Sequence, residues 1–135
     1  MKYIINLLII LIMFSILVFT ACDDTLTGDD IDNRIIPDEN VSFSEHLQPV
    51  FNIKCSIAGC HDDISKAGGY SMTTWSNVLQ PGIVDPFTPE TSRIIWRIEG
   101  IGVDFMPPLE SPVRPLTDNQ IDGVKTWIKE GAENN

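Results

Sequence analysis

Cys55-Ser56-Ile57-Ala58-Gly59-Cys60-His61 is the stretch on which the reading of this chain turns. Two thiols stand with four residues between them, and an imidazole follows the second directly. Thiols this close can form a disulfide in an oxidising compartment. With the histidine they can also enter a zinc site, although such a site takes four protein ligands and no fourth is evident here. A third chemistry is thioether attachment to the two vinyl groups of a haem, with the neighbouring imidazole reaching the iron. The two-residue form of the spacing, C-x-x-C-H, marks that attachment, and C-x4-C-H is its longer variant. Small Ala58 and permissive Gly59 let the longer loop turn tightly under a porphyrin edge. Haem is the expectation drawn from this stretch; disulfide and zinc are the alternatives to it.

Working outward, residues 1–21 are almost wholly apolar after Lys2 and end in Phe19-Thr20-Ala21-Cys22. Small residues before a cysteine, behind an apolar run, predict a cleaved export signal. The segment resembles a bacterial lipoprotein signal peptide. That resemblance implies Cys22 as the first mature residue and the site of lipidation. An uncleaved membrane anchor is the other reading, since the run is near the lower length for spanning. Either way the rest of the chain is tethered to a membrane on its exported side. The three cysteines are then all assigned, Cys22 to lipid and Cys55 and Cys60 to one site.

The 135-residue chain has a formal net charge of −10, and removal of residues 1–21 takes away Lys2 alone and leaves −11. So acidic a surface argues against nucleic acid as a partner. It suits solubility or a basic partner. Residues 22–40 carry seven acidic side chains against Arg34 and show no amphipathic period, which predicts a flexible, self-repelling linker.

The folded domain is expected over 41–135, all-α, with three main helices and long loops. Ser42 and Glu45 have the spacing of a helix cap, and Leu47, Val50 and Phe51 share a face behind them; Pro49 kinks this helix or delays its start. Thr88-Pro89-Glu90 predicts a second helix running through Ile94, Ile95 and Ile98 to Gly100. Thr117 and Gln120 open the third, with Ile121, Val124, Trp127 and Ile128 facing inward and Gly131 as its stop. A core this small is marginal alone. A buried haem would give Leu47, Phe51, Trp75, Ile95, Phe105 and Trp127 a surface to pack on.

The order of helix, motif, Phe105-Met106-Pro107-Pro108 loop and C-terminal helix resembles the small mono-haem c-type cytochrome domains of bacterial lipoproteins. The likeness extends over 41–132. It implies a cytochrome c-like fold around one covalent haem c, with His61 as proximal and Met106 as distal iron ligand. Bonding chemistry points the same way, because a Met/His pair holds haem iron and raises its potential. The two prolines also stiffen the loop that carries the sulfur. Met72 and His46 are the other distal candidates, and Met106 can equally be a core methionine. Arg93, Trp96 and Arg97 could meet haem propionates, or form a solvated helix face. No hydrolytic or phosphate-binding constellation is present. The expected function is a non-enzymatic electron carrier, lipid-anchored and facing the periplasm, serving redox partner proteins. The alternatives are a non-redox lipoprotein binding module stapled by Cys55–Cys60, and a haem enzyme or gas sensor with an open distal position.

Overall fold

The structure, a computed structural model, describes residues 2–6 and 25–135. The export signal beyond residues 2–6, and Cys22, lie outside them. The described residues are helical and loop, with no strand among them. Helix α1 spans Gly28–Asn33, α2 Gln48–Lys54, α3 Trp75–Val78, α4 Arg93–Glu99 and α5 Asp118–Lys129. Short 3-10 turns lie at Ala67–Gly69 and Pro89–Thr91. Among these described residues no helix is long and apolar enough to cross a membrane.

Helix α5 forms as its sequence directs. The Thr117 hydroxyl accepts from the Gln120 backbone N–H while the Gln120 side chain accepts from that of Thr117. This reciprocal pair satisfies two of the free donors at the helix start. Gln120, Val124, Trp127 and Ile128 are buried on its inner side, and α5 packs on α4 and on the turn before α2. Gly131, at φ +107°, carries the chain out of the helix. The Phe87 ring lies so close that a Cβ on Gly131 would come within 2.8 Å of it.

Pro49 has the predicted effect on the first helix, and the form it takes is a late start. Residues Phe43–Leu47 wind as one π-helical turn under the Ser42 cap, and α2 opens with the proline in its first turn. A proline has no N–H to give the carbonyl four residues back. That carbonyl belongs to Glu45, and it is taken by the Arg34 guanidinium at 3.3 Å.

Two expectations are corrected. First, the helix predicted from Pro89 is divided. Ser92 is extended at ψ 116°, so α4 begins only at Arg93. Its buried hydroxyl accepts from the Asp85 N–H at 2.9 Å and holds the break in place.

Second, the linker predicted for 22–40 is, from Thr27 onward, part of the folded body. Thr27 and Asp30 cap α1 reciprocally. Ile31 and Ile36 are buried against the rest of the chain, at 0 % and 1 % exposure. The Gln120 amide donates to the Ile31 carbonyl, and Asn119 exchanges two hydrogen bonds with the Ile36 backbone. Charge density argued for an extended chain. Two buried isoleucines, each worth on the order of 2 kcal/mol, decide against it. Gly123 inside α5 has its reason here: a Cβ on it would come within 2.6 Å of the Ile36 side chain.

Phe43, Phe51 and Trp127 meet ring to ring, at centroid distances of 6.0 and 5.3 Å, with Ile31, Leu47, Val50, Val124 and Ile128 around them.

Candidate functional site

The Cys55–His61 stretch leaves the end of α2 as a compact loop. The Cys55 and Ser56 N–H groups both donate to the Phe51 carbonyl, and the His61 N–H returns to the Cys55 carbonyl at 3.0 Å. Gly59 takes φ +85°, which its missing Cβ permits. Asp62 fastens the loop from outside, accepting from the N–H groups of Gly59, Ile64 and Ser65.

The loop borders a cleft of about 370 Å³. Cys55, Cys60 and His61 line it, and so does Met106 from the loop after α4. Four residues from sequence positions 55 to 106 thus share one cavity, whose size lies in the range of small-molecule sites. Both cysteines are free thiols and half-buried. Burial pushes the Cys55 thiol up to about 12, against the pull of the Lys54 charge and with a smaller push from Cys60. Without a bound metal or a covalent partner this thiol stays protonated at neutral pH. Among the described residues no three His, Cys, Asp or Glu side chains converge as a metal site would need.

His61 is held from two sides by one neighbour. The Tyr70 ring stacks on the imidazole at a 4.5 Å centroid distance, with 19° between planes. The Tyr70 carbonyl lies 3.4 Å from His61 Nδ1, at the long end of a hydrogen bond. A carbonyl can only accept, so this contact puts the proton on Nδ1 and leaves the Nε2 lone pair for a metal. The Met72 N–H closes the arrangement on the His61 carbonyl at 2.8 Å.

Arg97 holds Met106 in place by two means. Its carbonyl, one of those left over at the end of α4, accepts the Met106 N–H at 2.8 Å. Its guanidinium bonds the Asp104 carbonyl and carboxylate two residues earlier. Pro107 is buried behind the sulfur-bearing residue.

Of the other distal candidates, Met72 lines the same cleft and His46 does not. The His46 Nδ1 is occupied by the Ser42 N–H at 2.9 Å. Of the helix α4 residues proposed to meet an acidic ligand group, Arg93 and Arg97 face the cleft. Trp96 does not; its indole N–H donates to the Glu90 carbonyl. The predicted wall is largely corrected as well. Phe51 is in it, whereas Leu47 and Trp127 are buried in the core, and Ile94 and Ile98 take the place expected for Ile95.

Two cleft residues were missed by sequence reasoning. Tyr70 gave no signal, since its partner is nine residues away. Lys54, adjacent to Cys55, is buried, with its ammonium 2.5 Å from Asp32 and 2.7 Å from the Pro115 carbonyl. A Thr27-x-x-Asp30 cap and isolated isoleucines in the acidic stretch were the available hint of its partner.

The residues present suit a covalently held haem. Two thiols can carry it, a histidine with its tautomer fixed can ligate the iron, and thioethers stand in the same cleft. The wall is mostly apolar. Of the three cations in the lining, Lys54 is taken by Asp32 and Arg97 meets Asp104, which leaves the Arg93 charge to face the cleft in a chain of net charge −10. That charge would receive an acid group of a porphyrin.

Fold and site together define an all-α domain whose cleft combines two thiols, an imidazole and a thioether. No protein-family model, curated protein or solved structure matches the chain.

Proposed function

We propose that this chain is an exported, membrane-tethered electron carrier of cytochrome c-like fold. One haem is bound covalently by Cys55 and Cys60, with His61 and Met106 as axial ligands. The observation that carries the reading is the convergence of those four residues on one apolar cleft. The haem, when bound, supplies one-electron redox chemistry, and a Met/His pair favours the reduced state.

The chain's own residues do the rest. Tyr70 keeps the His61 ring oriented, with Nδ1 toward its own carbonyl and Nε2 on the other side of the ring. Arg97 fixes the Met106 backbone, so little ordering entropy is lost when the sulfur binds. Arg93 offsets the negative charge of a propionate. An iron held by both His61 and Met106 would have no position left for a substrate, which would favour electron transfer over catalysis.

The test is production of the protein with a haem-attachment system, followed by a pyridine haemochrome spectrum of the purified product. A spectrum of thioether-bound haem in one-to-one ratio is expected. Met106→Ala should abolish the low-spin Met/His spectrum and lower the potential, and an unchanged spectrum would move the distal ligand to Met72. Colourless protein with Cys55 joined to Cys60 would replace this reading with the disulfide-stapled binding module.

A further inference from the structure

The packed stretch before Val41 changes where the domain can sit. An acidic spacer from 23 to 40 would be a stalk of roughly 65 Å at full extension, at ~3.5 Å per residue. The folded body instead begins at Thr27. Its hold on 27–40 is extensive. Asp32 pairs with buried Lys54 at 2.5 Å and with Arg114 at 3.1 Å, and Arg114 also pairs with Asp29. Ile31 and Ile36 are buried, and Asn40 and Val41 donate to the Glu130 carboxylate.

Only five peptide steps separate Cys22 from Thr27, which reach roughly 17 Å at most. A domain of this size has a radius of gyration of roughly 13 Å, so it is about 34 Å across. The tether cannot lead from the far side of the body to a bilayer.

We propose that the domain is seated directly on the lipid surface that anchors it, with the face built from Thr27–Asp29 and Pro112–Arg114 turned to the bilayer. The inference rests on the tethered reading above and holds for a lipidated Cys22 or for an uncleaved apolar segment. Thr27, Asp29, Asp32 and Arg114 line a second cavity, and Lys54 lines both that cavity and the cysteine cleft. The anchored face is therefore one side chain from the cleft.

The experiment uses the full-length protein in vesicles of neutral phospholipid, treated with a non-specific protease, with mass spectrometry of the released fragment and of the residue left in the lipid. Expected is slow release of a fragment that begins at or before Thr27. Insertion of ten Gly/Ser residues between Asp24 and Thr25 should speed release at least tenfold without moving the downstream cleavage limit. Release of fragments beginning between 34 and 41, at a rate the insertion leaves unchanged, overturns the seating and restores the stalk. Protein found freely soluble, with no lipid on Cys22 and no residues before it, overturns the tether and the seating together.

Discussion

The two ends of α2 lie in different kinds of structure. At its start are the π-helical turn and α5, with α1 running alongside, joined by rings and isoleucines that exclude water from each other. At its end are the cysteine loop, Tyr70 and the Met106 loop, organised around a space rather than around each other. The first region supports itself through buried apolar area, which needs no ligand. The second is held by single backbone hydrogen bonds at chosen points, such as Met106 on Arg97 and Met72 on His61. A region built this way spends little of the stability of the whole, and its side chains can be directed at a ligand. Core substitutions should therefore alter folding, and cleft substitutions chemistry.

The sharpest way to break this division is Trp127→Ala. The side chain is 1 % exposed at the centre of the aromatic contacts, and its loss should cost about 3–5 kcal/mol. Denaturant unfolding of the protein without haem should show that loss in full; a change under about 1 kcal/mol would mean that the core depends on the cleft being filled.

Asp32→Ala tests whether the N-terminal stretch belongs to the core. It leaves the Lys54 ammonium without its carboxylate in a site 2 % exposed. About 3 kcal/mol of stability should be lost, together with protection from proteolysis over 27–40. Gly123→Ala addresses the same contact from the other side. Overlap with Ile36 should outweigh the gain in helix propensity and leave a net loss of about 1 kcal/mol in thermal or denaturant unfolding.

Met106→Leu should shift the stability of the haem-free protein by less than about 1 kcal/mol, because volume and apolarity are nearly kept. The same change should remove the Met/His spectrum of the loaded protein.

The smallest effect concerns acid. Hydrogen bonds from Ser65, by side chain and backbone, and from the Ile64 and Gly59 N–H groups lower the Asp62 carboxyl to about 2, from 3.8. A lowered carboxyl contributes stability that is complete above pH 3.8 and is lost as pH falls through about 2. Amide exchange at Gly59, Ile64 and Ser65 should quicken over that window, and Asp62→Asn should make it fast already at neutral pH.

Much of this was readable in advance. The α5 caps, the inward stripe through Val124 and Ile128, the Gly100 stop and the interruption at Pro49 all depend on neighbours within four residues, and local sequence records such neighbours directly. The four proposed haem contacts were also named from sequence, and they do share a cleft. The N-terminal stretch was misread because its seven acidic residues dominate any local measure. Its two buried isoleucines meet partners more than eighty positions away, as the bonds of Asn119 and Gln120 to 31 and 36 show. The cleft wall was misassigned for a related reason. A helix pattern tells which residues are inward and not which of two interiors they face, so Trp127 went to the core and Ile98 to the cleft.

By itself the sequence determined that the chain is helical, where its last helix starts and stops, and that two thiols and an imidazole stand at one place. These follow from covalent spacing and from bonds between near neighbours. The tertiary structure alone decided that the acidic stretch folds onto α5, that Tyr70 orients His61, that Arg97 anchors the Met106 loop, and that Met72 rather than His46 shares the cleft. Those outcomes depend on which distant surfaces exclude water together, a property of the assembled body that no short window of sequence contains.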